Sequence, residues 1–271
     1  MRVVADPDEA VAGVRDGATV LIGGFGPAGQ PIALIDALRR SGVSWLTVVN
    51  NNAGNGDTGL AALLAAGQVR RIICSFPRQS DSYVFDGLYR SGEIDLEVVP
   101  QGNLAERVRA GGAGIGGFFT PTGAGTILAE GKETRVIDGR DQVLEYAISG
   151  DLALVRAFRA DRMGNLVYRK TARNFGPVMA TAATVTAVQV DEVVEVGALD
   201  PDLVHLRTSV GRAGETQVLQ RDDADLVDLA LGDLSTVLAT TLPQPVDAHV
   251  QRWGGALPQY AVGHVDLVRE T

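Results

Sequence analysis

Several residue types that indicate particular classes of protein are scarce in this chain of 271 residues. A single cysteine, Cys74, excludes an intrachain disulfide and a cysteine-rich metal site. Its setting, "RRIICSFPR", predicts a buried strand, where a lone cysteine acts as a small hydrophobic residue. The three histidines are too scattered to form a metal cluster, so we expect no bound metal. Aromatic residues make up only 5%, so the core must be built mainly from Val, Leu, Ile and Ala.

Positive charge and long apolar runs are also in short supply. There are 24 lysines and arginines against 33 acidic residues, which gives a formal net charge of −9. A generic nucleic-acid-binding protein needs a basic face, so this balance argues against one. No apolar run reaches the roughly 18 residues of a membrane-spanning helix. The N-terminal stretch "MRVVADPDEAVAGVRDG" carries early acidic residues and no long apolar core, unlike a signal peptide. We therefore expect a cytoplasmic protein that binds neither nucleic acid nor membrane.

The first half of the chain alternates between apolar runs typical of strands and segments with helical spacing. The first helix is predicted at "DPDEAVAGV", with Asp6 as its N-cap and Pro7 in its first position. Strands are predicted at "ATVLIGGFG", "WLTVVNNNAG", "VRRIICSF" and "IDLEVVPQG", and helices at "PIALIDALRRSG", "TGLAALLAAGQ", "SDSYVFDGLYRSG" and "NLAERVRAGGAG". This alternation is typical of an α/β fold with a mainly parallel sheet and helices on both faces.

The pattern changes after "GIGGFFTPTGAGT". The stretch "GKETRVIDGRDQVLEYAI" predicts an antiparallel hairpin, with Asp138 and Gly139 as its turn. The stretch "GDLALVRAFRADRMGNLVYR" predicts two strands about a turn at Asp161 to Asn165, and "VTAVQVDEVVEVGALDP" predicts a strand and a loop. Farther on, apolar residues fall near one stripe of a predicted helix at about 222–238.

Polar or glycine-rich segments follow each of the four strands predicted in the first half. They are Gly23 to Gly29, Asn50 to Gly56, Ser75 to Arg78, and the segment that contains Gln101 and Gly102. Because ligands of open parallel sheets bind beyond the carboxyl ends of the strands, we expect these segments to share one edge and to form a binding site.

Six stretches of the sequence resemble the alpha-type subunit of family I coenzyme A transferases. The matching stretches are "DGATVLIGGFGPAGQP", "NNAGN", "VPQGNLAERVRAGGAGIGGFFTPTGAGT", "DRMGNLVYR", "ARNFGPVMA" and "VDEVVEVGALDP", and together they cover about residues 3–205. Two further stretches, "SFPRQSDSYVFDGLYRSGEIDLE" and "EGKETRVIDGR", are most similar to the members that use 3-oxoadipate. The resemblance therefore implies a CoA-transferase alpha-type domain at 1–205 and a separate extension at 206–271.

This resemblance implies a ping-pong reaction that moves CoA from succinyl-CoA to a 3-oxo acid, 3-oxoadipate in this subtype. In the family, a glutamate attacks the thioester and forms an acyl-enzyme anhydride, then a glutamyl-CoA thioester. Such covalent catalysis divides one difficult transfer into easier steps. The glutamate belongs to a beta-type subunit, and its motif is missing from this sequence. The resemblance thus implies a beta-type partner, a CoA thioester as substrate and no permanently bound cofactor.

In the family, a glycine-rich segment binds CoA, and the resemblance assigns the same role to one stretch of this sequence. Its residues are Gly23, Gly24, Phe25, Gly26, Pro27, Ala28 and Gly29. Where side chains are absent, backbone N–H groups can approach an anionic ligand at the start of a helix. The alternative, a glycine turn for close packing of strand and helix, would account for one or two of the four glycines.

The resemblance also assigns three amide side chains to the acyl site. Gln101 corresponds to a family position where an amide can hydrogen-bond an oxyanion or a substrate carboxylate, and Asn51 and Asn52 correspond to paired asparagines of the same site. Alternatively, these amides face solvent or cap a turn. Because arginine binds carboxylates bidentately, Arg78 is a candidate for the distal carboxylate of 3-oxoadipate, and Arg173 is its rival. For both arginines the alternative is a solvated surface position.

The final part of the chain has a different resemblance. From about Leu206, and especially in "VQRWGGALPQYAVGHVDLVRE", the sequence resembles the C-terminal part of protoporphyrinogen oxidase, an FAD enzyme. Since this part has no G-x-G-x-x-G segment of its own, we expect no flavin. Two other functions stay open: a non-catalytic fusion whose extension impairs subunit pairing, and a sugar-phosphate isomerase on a similar fold. The stretches "GGFGPAGQP" and "PQG" argue against the isomerase.

Overall fold

A computed structural model of the chain describes residues 2–196, 220–245, 248 and 250. The chain divides into two compact units, Met1–Val204 and His205–Thr271. The helices of the first unit are α1 (Pro7–Val11), α2 (Ile32–Ser41), α3 (Leu60–Ala65), α4 (Tyr83–Ser91), α5 (Gln101–Gly112) and α6 (Gly176–Thr181). Its strands are β1 (Thr19–Ile22), β2 (Leu46–Val49), β3 (Val69–Cys74), β4 (Asp95–Val98), β5 (Gly117–Thr120), β6 (Thr134–Ile137), β7 (Arg140–Tyr146), β8 (Gly150–Arg156), β9 (Arg159–Asp161), β10 (Leu166–Val167), β11 (Ala183–Gln189) and β12 (Glu192–Val194).

A six-stranded parallel sheet forms the centre of the first unit. Its strand order is β11-β8-β1-β2-β3-β4. The chain therefore builds the sheet from β1 toward one edge and later returns to add β8 and β11 on the other side of β1. The predicted α/β fold with a mainly parallel sheet is confirmed.

Two of these six strands come from the second half of the chain, where the sequence predicts hairpins and a separate strand. The predicted hairpin about Asp161 to Asn165 exists, but its strands are the short β9 and β10. The apolar run before it is β8, whose residues 152–155 are all buried. A strand covered on both faces has this continuous apolar character, which is why β8 belongs to the central sheet.

Alternate residues of the strands pack into two separate hydrophobic cores. In β1, Val20 and Ile22 join a core with residues of α1 to α4, whereas Leu21 joins a second core with residues of α5 and α6. Because successive side chains of a strand point to opposite faces, this division places helices on both faces of the sheet, as predicted.

Two smaller sheets complete the described part of the first unit. One is antiparallel, in the order β5-β7-β6, and the other has the order β10-β9-β12. Asp138 and Gly139 join β6 to β7 with φ angles of +50° and +72°, the positive values that a tight hairpin turn requires. The predicted hairpin is thus confirmed, while β5 was not predicted from the sequence.

Local residues explain where α1 begins and where α2 ends. The Asp6 side chain accepts a hydrogen bond from the Asp8 amide at 2.9 Å, and Pro7 occupies the first turn of α1, as predicted. Pro31 is the N-cap of α2 rather than its first helical residue, and Gly42 ends α2 in the left-handed conformation at φ +73°. Within the described ranges, no helix combines the length and the apolar character needed to cross a membrane.

The described part of the second unit contains the helix α7 (Asp223–Val237), close to the predicted bounds. The Asp222 side chain caps it by accepting a hydrogen bond from the Asp225 amide at 2.8 Å. Of the predicted apolar stripe, Leu226 is buried, but Val237 and Leu238 are exposed. Of the stretch that resembles the flavoprotein, about 206–271, residues 206–219, 246, 247, 249 and 251–271 lie outside the described residues, so that resemblance stays a prediction.

A network of charged side chains joins α5 to the central sheet. The Glu97 carboxylate of β4 accepts hydrogen bonds from Arg71 of β3 and from Arg107 of α5, the latter at 2.6 Å. Arg107 also donates to the Tyr146 carbonyl at 2.7 Å. Burial opposes ionisation of Glu97, but the hydrogen bonds and charges of Arg107 and Arg71 outweigh it and lower its pKa. The network therefore fixes α5 against β4 and β7.

The lowered pKa of Glu97 makes its contribution to stability depend on pH. Because the folded-state pKa lies below the unfolded value of about 4.3, the charged carboxylate stabilises the fold above that value, and the effect is lost as the pH falls through the folded-state pKa. We expect Glu97→Gln to lower the melting temperature at pH 7 and to differ less from the unmodified chain below about pH 4. Thermal melts across this range measure the difference.

The exposed Glu93 provides the control, because Glu93→Gln removes a carboxylate that has no ion pair among the described residues. Its melting temperature should follow that of the unmodified chain at every pH. A Glu97→Gln deficit of equal size at pH 3 and pH 7 would contradict the role given to the carboxylate charge.

Candidate active site

The segments that follow β1 to β4 lie at one edge of the central sheet, because the carboxyl ends of parallel strands share an edge. Gln101 is the first residue of α5, so the polar segment after β4 opens a helix instead of forming a loop. The chain leaves β1 toward β2 on one side and β8 toward β11 on the other. Ligands of open α/β sheets bind at such a switch point, and the glycine-rich segment follows β1 directly.

The glycine-rich segment forms a compact turn between β1 and α2. The Phe25 amide donates to the Ala28 carbonyl at 3.0 Å, and the Ala28 amide donates to the Phe25 carbonyl at 3.2 Å. Gly26 and Pro27 form the tip between them. Phe25 is half exposed, whereas Gly23 and Gly24 are buried. We call Gly23–Gly29 the glycine turn.

Backbone conformation and close approach explain three of the four glycines in this turn. Gly24 has φ +134°, and a Cβ there would lie 2.8 Å from Gln30 Cγ. Gly29 has φ +76°, and a Cβ there would lie 2.6 Å from the Ala172 carbonyl oxygen. Gly26 also has a positive φ, of +58°. Only at Gly23 would an added Cβ have ordinary space, with its nearest neighbour at 3.5 Å. Close packing thus accounts for more of these glycines than the sequence analysis expects.

Most amides of the glycine turn are already engaged within the protein. The Gly23 amide donates to the Leu154 carbonyl at 2.9 Å, and the Gly24 amide donates to Asn174 Oδ1 at 3.2 Å. The amides of Phe25 and Ala28 donate to each other's carbonyls, and Pro27 has no N–H. Within the described residues, the amides without a partner in this turn are those of Gly26 and Gly29. The turn therefore has two free N–H groups instead of a row of them: Gly29 is half-buried, whereas Gly26 is buried beside Gln79.

Two buried or half-buried amide side chains that the sequence analysis missed hold this turn in place. Gln30 Nε2 donates to the Gly26 carbonyl at 2.9 Å. Asn174 Nδ2 donates to the Ala28 carbonyl at 3.0 Å. Gln30 belongs to the quoted "GGFGPAGQP" and Asn174 to "ARNFGPVMA", but no spacing in the sequence indicates that the two segments meet.

Asn50 joins the ends of β1 and β2. Its Nδ2 donates to the Ile22 carbonyl at 2.6 Å, and its Oδ1 accepts from the Asn52 amide at 2.9 Å. The side chain is fully buried, so both bonds satisfy backbone groups that water cannot reach. Asn50 is thus a structural residue that shapes the loop carrying Asn51 and Asn52.

Asn51 and Gln101, which the sequence analysis assigns to one site, are in direct contact. Gln101 Nε2 donates to Asn51 Oδ1 at 2.7 Å. Ser75, which follows β3, donates from Oγ to the same oxygen at 2.7 Å. Three neighbouring strands thereby contribute to one hydrogen-bonded group. The role of Ser75 was not foreseen, because a serine in a loop gives no specific signal.

The carboxamide nitrogens of Asn51 and Asn52 have no hydrogen-bond partner within the described residues. Asn52 is fully buried, its Oδ1 accepts from the Gly54 amide at 2.9 Å, and its Nδ2 has no hydrogen-bond partner in the described part of the chain. Asn51 likewise has a partner for its oxygen but, in that same part, none for Nδ2. An unsatisfied buried donor costs about 1–3 kcal/mol, and a native fold retains one where a ligand, another chain or an ordered water completes the bond.

The two candidate arginines lie in different surroundings. Arg78 Nε donates to Asp86 Oδ1 at 2.7 Å, and the Arg78 side chain is 58% exposed. Arg173 is exposed and lies over the Tyr168 ring, with Cζ 6.0 Å from the ring centroid. Within the described residues, neither arginine has a hydrogen bond to Gln101, Asn51 or Asn52, so these two cations do not belong to the hydrogen-bonded amide group.

Cys74 lies at the end of β3 in the hydrophobic core, as predicted, and burial raises the pKa of its thiol to about 12. Such a thiol is not a nucleophile near neutral pH. Among the residues that the structure describes, no cluster of three or more His, Cys, Asp or Glu side chains could hold a metal ion.

Replacing Asn50 should reduce stability more than replacing a similar asparagine nearby. Asn50→Ala leaves the Ile22 carbonyl and the Asn52 amide without their partner, so the free energy of unfolding should fall by about 2–4 kcal/mol. Asn55→Ala removes one hydrogen bond to the exposed Asp81 amide and should cost less than about 1 kcal/mol. Denaturant unfolding of both variants measures the two losses. Equal losses would show that the bonds of Asn50 do not support this edge.

Comparison with known proteins agrees with the resemblance in the sequence. Residues 4–210 match the model of the coenzyme A transferase family. The chain is 65% identical over 193 residues to the A subunit of 3-oxoadipate CoA-transferase from Pseudomonas putida, a match that covers 71% of this chain and 84% of the relative. It is 55% identical over 203 residues to the A subunit of succinyl-CoA:3-ketoacid coenzyme A transferase from Xanthomonas campestris, covering 74% and 83% of the two chains.

Solved structures show the same fold. Glutaconate coenzyme A-transferase of Acidaminococcus fermentans superimposes with a TM-score of 0.63 over 74% of this chain and 71% of its own, at 19% identity. The family model matches most of the chain, and the identities to the two relatives agree with it. They confirm the resemblance to coenzyme A transferases that the sequence shows. The chain belongs to the coenzyme A transferase family.

Proposed function

We propose that the chain is the alpha-type subunit of a CoA-transferase that moves CoA from succinyl-CoA to a 3-oxo acid, namely 3-oxoadipate. A beta-type subunit supplies the nucleophilic glutamate. The observation that carries this proposal is the pair of available carboxamide donors on Asn51 and Asn52 beside Gln101, at the carboxyl edge of the sheet. The two relatives described above, each of them one subunit of a CoA-transferase, support the substrates and the need for a partner.

The three amides suit the chemistry of acyl transfer. When the glutamate attacks a thioester, the carbonyl oxygen gains negative charge, and fixed N–H donors stabilise that charge best when they need no reorganisation. Asn51 Oδ1 is held by Gln101 and Ser75, which fixes the orientation of its Nδ2. Asn52 is fixed by its bond with the Gly54 amide. These residues therefore orient donors toward an oxyanion or a substrate carboxylate.

The glycine turn is the proposed contact for the CoA thioester. The free amides of Gly26 and Gly29 and the half-exposed Phe25 are the groups that it offers. Because the rest of the turn is fixed by internal bonds and by the proline ring, it presents one preformed shape. Preformed sites bind without the cost of ordering a loop.

Arg78 is the proposed partner of the distal carboxylate of 3-oxoadipate. Asp86 binds its Nε and orients the guanidinium, while the two Nη groups have no partner among the described residues. A planar guanidinium with free Nη groups can bind a carboxylate bidentately. Arg173, the rival candidate, lies on an aromatic ring and has no comparable orienting carboxylate in the described part of the chain.

That residues 206–271 form a separate domain is a proposal. Its described helix α7, which has Asp222 as its N-cap, supports this proposal. The reconstitution described below tests the alternative in which this extension impairs subunit pairing. The sugar-phosphate isomerase alternative has no observation in its favour, since the chain belongs to the CoA-transferase family.

The half-enzyme proposal makes a direct prediction. Purified alone, the chain should show no CoA transfer between succinyl-CoA and 3-oxoadipate, because the nucleophile is absent from it. Mixing with a beta-type subunit of a 3-oxoadipate CoA-transferase should restore transfer, measured by following the acyl-CoA products. Full activity of the isolated chain would contradict the proposal. Co-purification without activity would favour a non-catalytic assembly, and a failure to co-purify would favour the alternative in which the extension blocks pairing.

Gln101 should affect turnover more than stability. Gln101→Ala removes one of the two donors to Asn51 Oδ1 and leaves only Ser75 to hold that side chain, so kcat of the reconstituted enzyme should fall on the order of 10²-fold. Gln101→Glu keeps the size of the side chain but not its N–H donor, so its kcat should fall similarly. Gln142→Ala, in the β6–β7 hairpin, is the control and should retain activity. A loss below about threefold, far under the range for such donors, would make Gln101 a residue of loop structure only.

A further inference from the structure

Asn174 uses the whole hydrogen-bonding capacity of its side chain at the glycine turn. It lies between the short 3-10 helix Lys170–Arg173 and α6. Its Oδ1 accepts from the Gly24 amide at 3.2 Å and from the Phe175 amide at 2.6 Å. Its Nδ2 donates to the Ala28 carbonyl at 3.0 Å and to the Thr171 carbonyl at 2.9 Å. A carboxamide has two N–H donors and an oxygen with two lone pairs, so no capacity is left over.

These four bonds divide equally between the turn and the segment that bears Asn174. Two reach Gly24 and Ala28, which are 150 and 146 residues away in sequence and lie on either side of the tip of the turn. The other two hold the asparagine to its own neighbours, Thr171 and Phe175. The side chain therefore bridges two parts of the backbone and is itself held rigid.

The same segment packs directly against the far end of the turn. A Cβ on Gly29 would lie 2.6 Å from the Ala172 carbonyl oxygen, so backbone meets backbone there. Phe175 and Met179, which follow Asn174, are buried in the core on the α5 and α6 side of the sheet. The glycine turn is thus anchored through Asn174 to the folded core.

The turn itself does not need Asn174 in order to exist. The paired bonds between Phe25 and Ala28 close it, and Gln30 holds the Gly26 carbonyl. Without the Asn174 side chain the turn would persist but would lose its two hydrogen bonds to the segment before α6. Only the packing of Gly29 on Ala172 would remain, so the free amides of Gly26 and Gly29 would be held less firmly. That loss would weaken ligand binding while leaving the central sheet unchanged.

We propose that Asn174 is a positioning residue that fixes the glycine turn for binding the CoA thioester. This inference rests on the proposed function, because it takes that function's assignment of CoA to the glycine turn. The inference gives a role in the site to Asn174, a residue that carries no charge and touches no reacting atom. Its effect should therefore appear in the KM for the CoA thioester and not in kcat.

The test compares variants of the chain reconstituted with a beta-type subunit. In Asn174→Ala, the KM for succinyl-CoA should rise about tenfold, the change that about 1.4 kcal/mol of binding free energy produces. We expect kcat and the KM for 3-oxoadipate to change less than about threefold, which is under 1 kcal/mol. Asn174→Asp keeps the acceptor but places a carboxylate against the Ala28 and Thr171 carbonyls, so it should be at least as impaired.

Two further variants keep the test decisive. Asn174→Ser provides one hydroxyl for hydrogen bonding, so the KM for succinyl-CoA should rise less than in the alanine variant. It also keeps the test possible if the alanine variant fails to fold. Asn165→Ala is the matched control, since Asn165 Nδ2 bonds Asp161 at 2.8 Å in the β9–β10 turn, and its removal should leave both KM values unchanged.

The outcomes separate this inference from the proposed function. An active unmodified complex in which Asn174→Ala lowers only the melting temperature, or raises both KM values equally, would overturn the positioning role and leave the function intact. An unmodified complex that transfers no CoA would overturn the function. Binding of CoA alone, measured by calorimetry, then gives the inference its own readout: equal affinity of the unmodified and Asn174→Ala complexes, or no binding by either, would overturn it as well.

Discussion

Side-chain amides satisfy the backbone at the carboxyl edge of the sheet, and the shape of the site depends on them. Parallel strands bring the loops after β1, β2 and β3 together, where buried backbone groups need partners. Asn50 bonds the end of β1 to the loop after β2, and Asn51 receives donors from Ser75 and Gln101. Neutral amides provide both donors and acceptors without the desolvation cost of a buried charge. The edge is therefore polar and fixed by hydrogen bonds, as the proposed acyl site requires.

The sequence predicted the framework of this arrangement because the relevant signals are local. Apolar runs alternating with helical spacing indicated the parallel sheet, and the segment after each strand indicated the edge where Asn51 and Gln101 meet. The contacts of Asn174 and Ser75 depend on segments that meet only after folding, 150 residues apart for Asn174 and Gly24. The joining of β8 to β1 is non-local in the same way, so the sequence suggested only a strand. The resemblance to a known family named residues, but it did not give their hydrogen-bond partners.

The glycine turn serves the fold and, under the proposed function, also binds a ligand. Its positive φ angles and close contacts are needed for the fold, since Gly24 and Gly29 lie against Gln30 and Ala172. Its remaining free amides, on Gly26 and Gly29, are what a ligand can use. Glycines can expose backbone N–H groups to an anionic ligand, but in this turn that argument applies only to Gly26 and Gly29. The other residues of the turn hold these two in position.

A crystal structure of the chain with a beta-type subunit and succinyl-CoA tests the central claim most directly. The claim is that the carboxamide donors of Asn51 and Asn52 are kept for an acyl oxygen or for the partner. It predicts an oxygen of the substrate or of the beta-type subunit within about 3.2 Å of Asn52 Nδ2, the range of an N–H···O hydrogen bond. A complex with substrate bound and both carboxamide nitrogens still without partners would contradict the account.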